Sequence, residues 1–136
     1  MNAPGVALSG LNIWVVEDDA VIALSIEYLI EDQGGSAFGP AGSITDCFEQ
    51  FAAFDELPDV AILDLDLRGQ ESMPIAKLLQ RKGVPFLFYT GHGQTDALIA
   101  QFGEIPVCIK PVSEQELVQA LCKLCSRSAK HGRSTY

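Results

Sequence analysis

The sequence has few positive charges, few cysteines and no long apolar run, and each shortage narrows what the chain can be. Lysine and arginine total nine against 18 aspartates and glutamates, for a formal charge of −9. Arg127, Lys130 and Arg133 supply three of the nine basic residues, so the body of the chain is more acidic still. A surface of that sign repels phosphate backbones, which argues against direct nucleic-acid binding and suits a body that carries cations. The four cysteines, Cys47, Cys108, Cys122 and Cys125, are too sparse for a disulfide framework and suit a reducing cytoplasm. No apolar stretch approaches the ~18 residues of a membrane span. Met1 to Gly5 lacks the basic start and apolar run of an export signal, so the expectation is a soluble, cytoplasmic chain without a membrane anchor. Internal repeats and low-complexity segments are absent. With 136 residues, 48% of them hydrophobic, the chain can bury the core of one domain but has no room for a second.

What is present is an alternation of short apolar runs and helical patterns. Leu11 to Val16 reads as a buried strand that ends in Glu17-Asp18-Asp19. A helix from Ala20 follows, with Val21, Leu24, Tyr28 and Leu29 on its expected inner side, stopped by Gly34-Gly35. Ser36 to Gly39 is a weak edge strand broken by Pro40, and Ser43 opens a helix carrying Ile44, Phe48 and Phe51. Residues 59–64 form the central strand, bounded by Asp59 and Asp64 around the apolar run Val60 to Leu63. Ser72 then reads as the cap of a third helix with Pro74 in its first turn and Ile75, Leu78 and Leu79 facing inward, ended by Gly83. Val84 to Tyr89 is a fourth strand leading into Thr90-Gly91-His92-Gly93, and Leu98, Ile99 and Phe102 outline a short fourth helix expected to be mobile. Pro106 to Ile109 is the fifth strand, ending in Lys110-Pro111. Ser113 and Glu116 form a capping box for a last helix with the stripe Leu117, Leu121 and Leu124. Residues 1–8 read as a flexible lead-in, 9–126 as the domain and 127–136 as a loose polar tail.

Five strands alternating with five helices predict a doubly wound α/β fold, a parallel sheet covered on both faces. Its ligands belong at the carboxyl ends of the strands, where Glu17 with Asp18, Asp64, Thr90 and Lys110 all fall. Three neighbouring carboxylates repel unless a hard divalent cation joins them, and Mg²⁺ takes a few carboxylates together with waters and phosphate oxygens. Asp64 is then a nucleophile toward phosphorus, with Lys110 and Thr90 placed to meet the oxygens of a transferring phosphoryl group. No histidine or cysteine base is needed.

The ordered set Trp14-Val15-Val16-Glu17-Asp18-Asp19, Asp59 to Asp66, Tyr89-Thr90-Gly91 and Ile109-Lys110-Pro111 resembles the receiver domain of two-component response regulators. The resemblance spans roughly residues 9–126 and implies a flavodoxin-like, CheY-like three-layer sandwich with strand order 2-1-3-4-5. By position, Asp64 matches the phosphoacceptor, and Glu17 and Asp18 match the acidic pair that holds Mg²⁺. Asp66 matches the residue whose backbone carbonyl completes the metal site. Thr90 matches the switch hydroxyl, Lys110 the phosphate-pairing lysine, and the Lys110-Pro111 bond is expected to be cis. The resemblance implies a histidine kinase or histidine phosphotransfer protein as partner, docked with help from Ala20, Val21 and Leu24. It also implies a downstream protein target, with dimerisation or effector binding on the face from strand four to helix five. Two positions depart from the pattern. Val107 stands where an aromatic is usual, three before the lysine. Phe88-Tyr89-Thr90-Gly91-His92 is similar to a subgroup with a Phe-Ala-Thr-Gly motif, Tyr89 taking the place of Ala. Members of that subgroup often stand alone and act as phosphate sinks, shuttles or protein-binding switches.

Other readings remain beside this one. Leu63-Asp64-Leu65-Asp66 also fits the DxD of haloacid-dehalogenase-type phosphatases, although those place their second acidic pair after the lysine, and a receiver fold can also serve as an unphosphorylated binding module. Asp19 fits either a helix cap or the acidic cluster. Arg68 fits either incoming phosphate or an acid partner. His92 either borders the pocket or faces solvent, while Glu56 and Asp59 are expected in water. Cys122-x-x-Cys125 with His131 has metal-ligand spacing but lies on an amphipathic helix without a fourth ligand, so core packing is the expected role of these cysteines and of Cys108.

Overall fold

The computed structural model describes residues 6–91, 95–103 and 105–132. The expected lead-in before Val6, the loop residues His92 and Gly93, and the tail beyond Gly132 lie outside them. The elements are β1 (Asn12–Val16), α1 (Ala20–Asp32), β2 (Ser36–Ala41), α2 (Ile44–Ala53) and β3 (Val60–Leu63). A small hairpin, β4 (Asp66–Leu67) and β5 (Gln70–Glu71), precedes α3 (Met73–Lys82), and β6 (Phe86–Thr90), α4 (Thr95–Phe102), β7 (Val107–Ile109) and α5 (Glu114–Gly132) complete the chain. The main sheet runs β2-β1-β3-β6-β7 with every pairing parallel. Counting only its own strands, this is the expected order 2-1-3-4-5.

Alternate residues of the strands feed two cores, because successive side chains of a strand point to opposite faces. Trp14, Val16, Ala61, Leu63, Phe86 and Phe88 meet Cys47 of α2, Ile75 and Leu79 of α3 and Phe102 of α4. Ile13, Val15, Val60, Ile62 and Leu87 meet Ala23, Ile26 and Ile30 of α1 and Leu117, Leu121 and Leu124 of α5. All four residues of β3 are buried, as a strand covered on both faces requires.

The structure corrects several expectations. Helix α1 turns a partly different face inward: Leu29 is buried as expected, but its buried companions are Ala23, Ile26 and Ile30, while Val21, Leu24 and Tyr28 are 74%, 50% and 66% exposed. Apolar residues occupy nearly every turn of this helix, so periodicity alone offers two competing stripes. Likewise Cys47, not Phe48, is the buried residue of α2, and Phe48 is exposed. The second strand does not stop at Pro40 but continues to Ala41. It lies on the sheet edge, where the missing proline N–H removes no ladder bond. The register shifts beside it, and Gly39 is required there, because its φ is +99° and a Cβ would sit 2.7 Å from the Val15 carbonyl oxygen. Both Gly39-Pro40 and Lys110-Pro111 are cis.

Within the expected lead-in, Leu8 is fully buried and its amide donates to the Gln33 carbonyl at 2.9 Å. The expected loose tail continues α5 to Gly132, since nothing from Ser126 to His131 breaks a helix already nucleated. Asp59 is not simply solvated: its Oδ2 accepts from the Asn12 amide at 2.7 Å and joins the starts of β1 and β3. The Ser113–Glu116 capping box forms in both directions, at 3.1 Å each way.

Candidate functional site

Strands β1 and β3 are parallel neighbours in register, Val16 opposite Leu63, so the next acids on each strand emerge at the same sheet edge. The Asp64 amide extends the ladder by donating to the Val16 carbonyl at 2.9 Å. Glu17 and Asp64 are 2% and 5% exposed, two carboxylates almost withdrawn from water. Charges in that position need a partner. Lys110 supplies it from β7, two strands beyond β3: its Nζ lies 2.9 Å from Glu17 Oε1 and 3.0 Å from Asp64 Oδ2. Its backbone is held in line by donation to the Thr90 carbonyl at 2.7 Å. Thr90, 1% exposed, ends β6 between these strands and lines the same pocket.

The β4–β5 hairpin, absent from the sequence reading, fixes the other groups. Arg68 and Gly69 both have positive φ, 52° and 83°, the backbone of a tight primed turn. The turn aims the Arg68 amide at Asp18 Oδ2, 3.0 Å away, so the main chain of Arg68 serves the site. Asp66 donates its amide to Asp64 Oδ1 at 3.1 Å, while its own Oδ1 accepts from the Gly69 amide at 3.0 Å. Asp19 resolves as the α1 cap, accepting from the amides of Val21 and Ile22. Ser72 does not cap α3 with its side chain, contrary to expectation. It is fully buried and its hydroxyl donates to the Asp64 carbonyl at 2.6 Å. Sequence reasoning missed this role because a serine before Met73-Pro74 carries the ordinary signature of a helix start.

Burial pushes the Glu17 carboxyl up to about 7 against the hydrogen bonds from Lys110 and the Asp19 amide, and the Asp64 charge adds to the rise. Burial of Lys110 disfavours its ammonium, but the hydrogen bonds to Glu17 and Asp64 outweigh that and raise its pKa. The Lys110 ammonium also stands 5.1 Å from the centre of the Tyr89 ring. Glu17, Asp18 and Asp64 each bring a carboxylate oxygen within 4.8 Å of the other two. They border a cavity of about 220 Å³ shared with Thr90, Lys110 and Ile22. Hard oxygen donors so clustered, with room left for waters and a phosphate, fit Mg²⁺.

Val107 is half-buried against the core that holds Phe86, Phe88 and Phe102, whose rings stand edge to face within 5.4 to 6.1 Å. The aromatic mass near this strand end therefore comes from β6 and α4. Cys108, Cys122 and Cys125 are half-buried against the core beneath α1 and α5, and the side chain of His131 lies outside the described residues, as does His92. Among the described residues no helix is long and apolar enough to cross a membrane.

The chain resembles the solution structure of SdrG from Sphingomonas melonis Fr1, with 33% identity and a TM-score of 0.71 over 87% of this chain and 97% of that one. A response regulator receiver domain protein from Clostridium thermocellum matches with 26% identity and a TM-score of 0.77, covering 88% of this chain and 98% of the other. Among curated proteins, the sensory transduction protein LytT of Bacillus subtilis (strain 168) is 27% identical over 116 residues, 83% of this chain and 47% of LytT. The chain thus spans about half the length of that relative. Residues 13–122 match the family model described as the response regulator receiver domain. With the sheet order, the acidic pocket and this match in agreement, the chain belongs to the response regulator receiver domain family.

Proposed function

We propose that Asp64 accepts a phosphoryl group from a phosphohistidine of a sensor histidine kinase or a histidine phosphotransfer protein, in a Mg²⁺-dependent reaction. A receiver domain has, in general, a histidine kinase as its partner. The meeting of Glu17, Asp18 and Asp64, with Lys110 paired to Glu17 and Asp64, carries the reading. A carboxylate oxygen of Asp64 attacks phosphorus, the P–N bond breaks, and its electron pair leaves on the imidazole nitrogen; the ring departs neutral because its other nitrogen already carries a proton or the freed nitrogen takes one up from water. Charge spreads over three phosphoryl oxygens, so fixed donors and positive charge matter more than a general base. Lys110 moves its ammonium from the carboxylates to one oxygen, and the Thr90 hydroxyl donates to another. Glu17, Asp18, Asp64 and the Asp66 carbonyl would hold Mg²⁺, which would supply neutralisation of the phosphoryl charge.

In this reading the chain catalyses only its own phosphorylation and dephosphorylation. The modified Asp64 draws Thr90 inward and changes the surface beyond β6 for a protein target, or simply stores and drains phosphoryl groups. Four unpaired cysteines support a cytoplasmic setting. A haloacid-dehalogenase-type phosphatase would need the Asp66 carboxylate free to act as an acid at the acceptor, whereas its Oδ1 is engaged by the Gly69 amide. Labelling with acetyl phosphate and Mg²⁺ tests the reading. The wild type takes up label, Asp64→Asn does not, and Lys110→Ala labels slowly while keeping the acceptor. Equal labelling of the wild type and Asp64→Asn overturns the assignment, and failure to bind Mg²⁺ or beryllofluoride favours an unphosphorylated binding module.

A further inference from the structure

We propose that Tyr89 is a positioning residue for Lys110: its ring backs the ammonium and holds it toward Glu17 and Asp64. The inference deepens the phosphoryl-transfer reading and rests on it for the consequence, though not for the contact. Lys110 ends a flexible four-carbon stem, and its side chain is only 19% exposed. Two of its approaches are taken by Glu17 Oε1 at 2.9 Å and Asp64 Oδ2 at 3.0 Å. A third is covered by the Tyr89 ring, whose centroid lies 5.1 Å from Nζ, within the range of a cation–π contact.

The ring is itself held in place. Tyr89 pairs with Cys108 across β6 and β7 and is half-buried against the core that contains Leu117 and Leu121. Two successive residues of β6 therefore serve one site, Thr90 lining the pocket and Tyr89 standing behind the lysine. An ammonium is strongly hydrated and moves readily on its stem. The ring face replaces water on one side and leaves the acidic side as the favourable direction, which is where a phosphoryl group on Asp64 would present its oxygens. An alanine at this position would leave that side of the ammonium open.

Three variants separate the ring from its bulk. Tyr89→Phe keeps the π face, whereas Tyr89→Leu and Tyr89→Met keep apolar volume without it. Acetyl phosphate labelling of Asp64 stays near the wild-type rate in Tyr89→Phe. It slows roughly fivefold to thirtyfold in Tyr89→Leu and Tyr89→Met, the range expected for loss of a partly desolvated cation–π contact. In a Lys110→Ala background, Tyr89→Leu causes no further slowing. Wild-type rates in both Leu and Met variants, or an undiminished loss in the Lys110→Ala background, overturn the proposal. Proton NMR without any phosphodonor reads the contact directly. The Lys110 ε-methylene protons are shielded by the ring in the wild type and in Tyr89→Phe, and lose that shielding in Tyr89→Leu. Unshielded protons in the wild type overturn the contact, whereas shielded protons in a protein that takes no label reject the phosphoryl-transfer reading and leave the contact standing.

Discussion

The Ser72 hydroxyl donates to the main-chain carbonyl of Asp64 at 2.6 Å, in a place where Ser72 has no exposure to water. The seven residues between them, including the β4–β5 hairpin, are closed off by this bond and by the Ser72 amide, which donates to the Leu65 carbonyl at 2.8 Å. The acceptor is thereby fixed at both ends, since its own amide is tied to Val16.

Ser72→Ala leaves the Asp64 carbonyl buried without this donor, which costs about 1–3 kcal/mol of stability. Denaturant unfolding reads that loss, and labelling of Asp64 slows in parallel because the hairpin that carries Asp66 and Arg68 is loosened. An unchanged unfolding midpoint would refute the importance of the bond.

Proton linkage at Glu17 sets the sign of two pH effects. Burial holds its folded pKa at about 7, above the ordinary glutamate value of 4.5. Between those values the folded state holds a proton that the unfolded chain has lost, so without Mg²⁺ stability falls as pH rises through this window. The loss is at most about 3 kcal/mol. A hard cation binds only the deprotonated carboxylate, so Mg²⁺ affinity weakens below pH 7, approaching about tenfold per unit. Calorimetric titration across pH 5.5 to 8 reads the slope, and Glu17→Gln removes it. A pH-independent affinity in the wild type contradicts the raised pKa.

The face assignment of α1 has a simple test in paired substitutions. Val21→Ser and Leu24→Ser, at exposed positions, change folding stability by no more than about 0.5 kcal/mol. Ile26→Ala, at a buried one, costs about 2–5 kcal/mol. If Val21 and Leu24 prove the costlier pair, the helix is rotated relative to this structure. With the stability of the exposed pair preserved, transfer from a histidine kinase can be compared with acetyl phosphate labelling, and loss of the former alone identifies the stripe as a docking surface.

Much of the architecture was readable because its signals are local. Val60-Ala61-Ile62-Leu63 is apolar without alternation, which is what burial on both faces produces. Glycines after helices and the Ser113–Glu116 box mark ends through backbone geometry that involves only neighbours in the chain. Helix α1 was harder for the opposite reason: with Ala20 to Leu24 apolar without a break and Ile26 just beyond Ser25, hydrophobicity does not state which side meets the sheet. The hairpin at Arg68-Gly69 lacks the Asn-Gly or Asp-Gly that announces such turns.

By itself the sequence determined the fold class and the identity of the charged strand ends. Both follow from where apolar runs stop and which side chain comes next, a one-dimensional property. Only the tertiary structure decided that one ammonium spans Glu17 and Asp64, that Ser72 holds the acceptor's carbonyl rather than capping a helix, and that the Arg68 main chain meets Asp18. Those relations join residues as many as 93 positions apart. Hydrogen bonds and ion pairs act over about 3 Å, so they exist only once the sheet has brought separate strand ends to the same edge.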